Sequence, residues 1–229
     1  MESKTKESSL DQIEGRGGAA FTHFESNETS HVFLLVGGAS RENQFDDFYK
    51  IFVSKSDDSV SVQKLNIVEM GGFGARHSMS AATWNKKTVL FGGQDVINDT
   101  VFNDLFVYNH ETNEIEQQEY LKEGLIIPKV RNSQLFVQSG NKAFVYGGAN
   151  QEGPLNDAFE LDLETLEFKN VPVADANQAP FFEMGTCHLY QGNKLLLIGG
   201  RSHCLPTQIA DPEAQAKVMA SPFRDVISC

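Results

Sequence analysis

The chain has 229 residues, 40% of them hydrophobic and 22% charged, enough to enclose the packed core of one ordinary domain or a small pair. Its 31 acidic against 19 basic side chains give a net charge of −12 with no segregated basic patch, which argues against a nucleic-acid partner because a polyphosphate backbone would be repelled. The longest apolar runs, Val32 to Val36 and Leu195 to Ile198, are too short to span a bilayer, and residues 1–15 lack the apolar segment of a secretory signal, so a cytoplasmic protein with no membrane contact is expected.

Residues 1–14 are polar and read as a flexible N-terminal tail. The first apolar strand ends in a glycine pair, VFLLVGG, at Gly37 and Gly38. A polar loop follows, then FDDFYKIF from Phe45, then the turn Asp57-Asp58 and a short strand through Val60 and Val62. The same order returns with TVLFGG at Gly92 and Gly93, FNDLFVYN from Phe102, the turn Glu111-Thr112-Asn113 and a strand at Ile115. It returns a third time with AFVYGG at Gly147 and Gly148, LNDAFELD from Leu155, the turn Glu164-Thr165-Leu166 and a strand at Phe168. A fourth unit has LLLIGG at Gly199 and Gly200 and then FRDVIS from Phe223.

The first glycines of the pairs lie 55, 55 and 52 residues apart. A period of this size marks a stacked array, because one small sheet with two apolar faces cannot bury both without neighbours. Ahead of each pair lies another strand, such as HSMSAATW or SQLFVQSG, joined through Asn85-Lys86, Gly140-Asn141 or Gly192-Asn193, residues suited to a hairpin turn. Each unit is therefore predicted as a four-stranded antiparallel meander. The units occupy about residues 15–67, 74–120, 128–173 and 182–229, and the last is incomplete.

These phrases resemble the kelch motif, most faithfully in the second unit with Arg76-His77-Ser78, Leu90-Phe91-Gly92-Gly93 and Phe102-Asn103-Asp104-Leu105. The resemblance implies an all-β, kelch-type β-propeller of about four blades. It also implies that Arg76 and His77-Ser78 cross-link neighbouring blades. The arginine opening is Arg16 in the first unit and Arg131-Asn132-Ser133 in the third, and it is missing from the fourth. The usual final-strand tryptophan gives way to Ile115 and Phe168, while Trp84 falls in an inner hairpin. An unclosed last blade exposes strand edges and an apolar face, which opens a route to self-association. The long loop after the fourth pair contains DPEAQAKVM, where Asp211 as N-cap, Pro212 and Glu213 predict a short helix.

No enzyme chemistry is expected. Cys187-His188 and His203-Cys204 fit no zinc spacing, and consecutive residues on a strand point to opposite faces. No metal and no cofactor are predicted. Cys187, Cys204 and Cys229 are an odd, dispersed set that reads as free thiols. On a rigid β scaffold function sits on loops, and those after the glycine pairs emerge together. The residues chosen there for binding a protein partner are Arg41, Asn98, Asp99, Glu152, Arg201 and His203. The expected function is a noncatalytic protein-interaction module. Its rivals are a part or relative of a kelch-bearing phosphatase or transferase, and a propeller enzyme acting on sugars.

Overall fold

The computed structural model describes residues 12–67, 70–119, 124–172, 181–190, 194–201 and 227–228. The helix expected at Asp211 and the turn at Gly192-Asn193 lie outside them. The first sheet comprises β1 (Ala20–Ser26), β2 (Ser30–Val36), β3 (Phe48–Ser54) and β4 (Val60–Lys64), paired in that order. In the second unit β5 (Ser80–Trp84) and β6 (Lys87–Phe91) lead to a small ribbon, β7 (Gln94–Asp95) with β8 (Thr100–Val101), before β9 (Leu105–Asn109) and β10 (Glu114–Gln117). The third repeats this with β11 (Leu135–Ser139), β12 (Lys142–Tyr146), the ribbon β13 (Ala149–Asn150) and β14 (Gly153–Pro154), then β15 (Ala158–Asp162) and β16 (Phe168–Asn170). The fourth shows β17 (Glu183–Tyr190), β18 (Lys194–Arg201) and β19 (Ile227–Ser228). All pairings are antiparallel, as in a propeller blade, and no helix among the described residues is long and apolar enough to cross a membrane.

Local chemistry sets the turns. Asn85 and Lys86 both have positive φ, 47° and 60°, the pair of left-handed residues that a two-residue hairpin needs to follow strand twist. In the outer turns the carboxylate of Asp162 accepts the amides of Glu164 and Thr165, and the Asn109 side chain accepts those of Glu111 and Thr112. These two backbone bonds hold the Asp162 carboxyl below its ordinary pKa. Such a clasp fixes the chain reversal firmly enough that Leu166, without any side-chain help, takes φ 60°.

The first strand of each blade lies beside the first strand of the next, β1 on β5, β5 on β11 and β11 on β17. These four strands line a central cavity of about 190 Å³, to which Ala20, Ser80, Phe136 and Cys187 each contribute. Three apolar clusters fill the spaces between consecutive blades: Leu34, Val36 and Phe48 against Leu90, Phe106 and Tyr108; Val89, Phe91 and Leu105 against Val145, Leu161 and Phe168; Leu135 and Tyr146 against Phe182 and Leu197. Burial of these side chains, worth roughly 1.5–3 kcal/mol each, is the main force that holds blade to blade.

Main-chain bonds give every junction the same form. Gly38, Gly93 and Gly148 donate their amides to the carbonyls of Arg76, Arg131 and Phe182 at 2.9, 2.9 and 2.8 Å. The amides of Arg76, Arg131 and Phe182 donate back to Phe45, Phe102 and Leu155. Nearer the axis, Ser78 donates to Gly18, Ser133 to Ser78 and Met184 to Ser133, a chain of bonds that runs through all four blades. The first glycine of each of the first three pairs is required here. A Cβ on Gly37 or Gly92 would stand 2.6 Å from the next blade's carbonyl oxygen, and one on Gly147 would overlap that of Phe182.

The side chains of the opening segment act differently from the expectation that they cross-link blades. Arg131 bonds the Gly147 carbonyl and both Asp157 oxygens at 2.8 and 2.9 Å, and Arg76 bonds Gly92 and Asp104, all within their own blades. Arg16 does the same with Gly37 and Asp47. The guanidinium thus pins the glycine turn to the strand that follows it, and the links between blades are made by the backbone together with other side chains, Asn132 on Gln94 and Gln134 on Ser80 and the Phe91 carbonyl. That division explains why the fourth blade dispenses with arginine: Phe182 supplies the same amide and carbonyl, and its ring fills the space that Gly185 and Gly200 leave open.

At the first junction the Phe24 ring stacks on His110, with centroids 3.6 Å apart and planes at 2°. His110 Nε2 lies 2.7 Å from the Thr88 hydroxyl, while its Nδ1 is buried with no partner among the described residues. Burial, assisted by the nearby Lys50 charge, lowers the His110 pKa to about 3. The unfolded chain titrates this histidine near pH ~6.5, so it binds a proton that the fold refuses. Stability is therefore expected to be full above that value and to fall as pH drops from about 6.5 towards about 3. Urea midpoints at about pH 7 and about pH 5 check this: His110→Phe, which keeps the stack, should flatten the difference.

Candidate functional site

Three loops follow the first three glycine pairs, at residues 39–44, 94–101 and 149–154, and side chains tie each to the next. Gln44 Nε2 donates to Asp95 Oδ1 at 3.1 Å and its Oε1 accepts the Val96 amide at 3.0 Å. Gln151 donates to the Asp99 carbonyl at 3.3 Å. The first loop is also held from below, since Ser40 and Asn43 both donate to Glu14 Oε1. The loops thus form one continuous face with a fixed backbone.

Asp95 organises the centre of that face. Its Oδ1 accepts the amides of Ile97 and Asn98 and its Oδ2 accepts Asn98 Nδ2 at 2.6 Å. Partial burial pushes the Asp95 carboxyl up, but hydrogen bonds from Asn98, Gln44 and Ile97 outweigh it and leave the pKa below its usual value. The consequence is a tight ribbon whose tip holds Val96 and Ile97 in water, 57% and 77% exposed. Large apolar side chains fixed in that position are the kind of anchor that protein interfaces use.

Of the residues chosen from sequence, Arg41 lies exposed in the first loop. Asn98 and Asp99 lie in the second, where Asn98 braces Asp95 and Asp99 offers its carbonyl to Gln151. Glu152 lies in the third and pairs with Lys129 at 3.1 Å, an exposed pair of little energetic weight. The backbone of Arg201 ends β18, while His203 lies outside the described residues. The choice passed over Gln44, Asp95, Gln151 and the apolar tip. Val96-Ile97 carried a signal, two large apolar residues inside a polar loop.

Elsewhere the chemistry is thin. No group of three or more His, Cys, Asp and Glu suited to a metal occurs among the described residues. Cys187 is half-buried between the central cavity and the junction of blades 3 and 4, with its pKa pushed up to about 12 by burial, so it is an unreactive thiol, and His188 lies exposed on the opposite side of the strand. Ser26 Oγ sits between His23 Nε2 and His31 Nδ1 at 3.0 and 2.7 Å, but all three are exposed on a hairpin end and line no cavity.

Residues 2–204 match the model of the KLHDC2/KLHL20/DRC7 kelch-repeats domain. The chain belongs to the kelch-repeat family. Among curated proteins it is 33% identical over 127 residues to Adagio-like protein 3 and 30% identical over 128 residues to Adagio-like protein 1, both of Oryza sativa subsp. japonica. Each match covers 55% of this chain and 20% of the relative. A probable serine/threonine-protein kinase of Dictyostelium discoideum is 32% identical over 78 residues, 34% of this chain and 6% of the kinase. The chain thus spans a fifth or less of the length of these relatives. The kelch assignment agrees with the four glycine pairs, each of which has positive φ at both residues.

Proposed function

We propose that this kelch chain is a noncatalytic interaction module that grips a protein partner on the face formed by its glycine-pair loops. The observation that carries the reading is the rigid apolar tip, Val96 and Ile97, set among loops that are hydrogen-bonded to one another. Around it stand Glu42, Asp99 and Glu152 against Arg41 and Lys129, so the surface is acidic on balance. The fitting partner is a segment that presents an apolar side chain flanked by lysine or arginine. Arg41, Asn98, Asp99, Glu152, Arg201 and His203 keep their place in this reading as rim residues. A cytosolic setting accords with the free, half-buried thiol of Cys187.

Affinity capture from cell extract tests it with paired variants. A partner held by the wild-type chain should be lost, by about tenfold or more in affinity, with Ile97→Asp and weakened with Arg41→Glu. It should be retained by Glu28→Lys, which lies in the β1–β2 hairpin away from the glycine-pair loops. Equal binding by Ile97→Asp and wild type would refute the assignment of this face.

The kinase-named relative favours a second reading, in which the chain is the interaction part of a larger kelch-bearing enzyme. A catalytic domain found beside it in the gene would support that reading, and its substrate would then be the protein gripped by the loops.

A further inference from the structure

The loops after the first three glycine pairs are built on one frame. In each, the residue that follows the loop returns its amide to the carbonyl of the second glycine: Phe45 to Gly38 at 2.9 Å, Phe102 to Gly93 at 3.0 Å and Leu155 to Gly148 at 2.7 Å. Between these fixed points the first and third loops have six residues each, 39–44 and 149–154, and the second has eight, 94–101. A longer chain between the same two anchors has to leave the surface, and the second loop does so as the ribbon of β7 and β8. Its four tip residues, 96–99, are all exposed. Where the third loop carries Gln151 and Glu152, this tip carries Val96 and Ile97, the two most exposed large apolar side chains among the described residues.

The projection keeps one shape. Asp95 holds the amides of Ile97 and Asn98, Gln44 holds that of Val96, and Asp99 takes φ 49° as the turn closes. A contact fixed in advance loses little freedom on binding. None of residues 94–101 lines the axial cavity or the crevice beside Lys64 and Met70, and consecutive side chains both standing in water show that the tip rests on neither side. It is shaped to enter a cavity, not to form one. Its charge has one sign: the loop contains Asp95 and Asp99 and no lysine or arginine. The donors on the Asp95 carboxylate are neutral amides, which leave its charge uncancelled, and Asp99 gives the face only its main-chain carbonyl.

We propose that Val96 and Ile97 enter an apolar cleft of a folded partner protein, rimmed by lysine or arginine opposite Asp95 and Asp99, and that the two-residue extension of this loop sets which partner the face accepts. The inference rests on the loop-face reading and adds the shape of the contact: the apolar and basic groups of the partner are the wall and rim of a cleft.

The probe is the protein that the full wild-type chain retains from extract and Ile97→Asp does not, purified and titrated by calorimetry against the full chain and its variants. A cleft of fixed size penalises change in either direction, so Ile97→Ala and Ile97→Trp should each bind about tenfold or more weaker. Asp99→Asn, which tolerates the left-handed backbone, should bind severalfold weaker in dilute salt and equal the wild type in about 0.5 M salt. Unchanged urea midpoints check that these exposed substitutions leave the fold intact. Unchanged or tighter binding by Ile97→Trp, or unchanged binding by Ile97→Ala, overturns the cleft and leaves the loop-face reading standing. Equal binding by Asp99→Asn and wild type in dilute salt overturns the basic rim. If the wild-type chain retains nothing that Ile97→Asp releases, the inference and the reading fall together.

Discussion

Asp157→Ala is expected to destabilise the chain by about 3–5 kcal/mol, more than any exposed substitution and more than removal of its own partner. Arg131 is fully buried while the Asp157 side chain is 37% exposed. The pair is bidentate, and the guanidinium also holds the Gly147 carbonyl at 2.9 Å and lies 5.0 Å from the Phe159 ring centroid. Taking away the carboxylate strands a cation in the interior, and burying an unpaired charge is among the costliest changes a fold can suffer. Arg131→Met removes the charge and leaves apolar volume, while Asp157 can turn to water, so a smaller loss of about 1–3 kcal/mol is expected. Urea unfolding of the two variants decides the order. A larger loss for Arg131→Met would mean that packing of the arginine stem, and not its charge, governs the site.

Gly147→Ala should cost about 2–5 kcal/mol and release blade 4 from blade 3. Two effects add: a left-handed conformation at φ 61° costs an L-residue about 1–2 kcal/mol, and overpacking in a filled contact costs about 1–3 kcal/mol more. The added methyl falls on the Phe182 carbonyl that accepts the Gly148 amide. Gly140 has the same φ of 61° but no atom near its Cβ position, so Gly140→Ala isolates the conformational part and should lose only about 1–2 kcal/mol. Limited proteolysis gives the second readout, with cleavage near Phe182 accelerated in Gly147→Ala and unchanged in Gly140→Ala. Equal behaviour of the two variants would show that the glycine is needed for its backbone angle alone.

The blades were legible because their signals are local and repeated. A glycine pair after an apolar strand, and an Asp or Asn before the next, need no knowledge of tertiary contacts, and the reversals at Asn85-Lys86 and Glu111-Thr112-Asn113 fall where turn chemistry puts them. The junctions were less legible. The bonds that recur at all three run between main-chain atoms, which leave no side-chain signature, so Phe182 reads as a lost arginine although its backbone does the same task. Arg76 and His77-Ser78 were expected to cross-link blades because the kelch resemblance implies it, and the Arg76 side chain instead bonds within its own blade. Periodicity alone cannot tell a bond within a unit from one between units.

The loop face divides in a similar way. Its location follows from the glycine pairs, and Arg41, Asn98, Asp99 and Glu152 do lie in its loops. The residues that fix its shape are Gln44, Asp95 and Gln151, and their contacts depend on how far one blade is turned from the next. That angle depends on the bulk of buried rings between blades such as Phe48 against Tyr108 and Phe91 against Phe168, a packing property that no short segment encodes.

The stacking of blades through one recurring main-chain junction is tested most directly by amide hydrogen exchange resolved to single residues. The amides of Gly38, Gly93, Gly148, Ser78, Ser133 and Met184 should exchange as slowly as those of the central strands β6 and β12, since opening any of them requires two blades to part. Rapid exchange at these six positions, with the strands still protected, would mean that the sheets fold but do not join in this way.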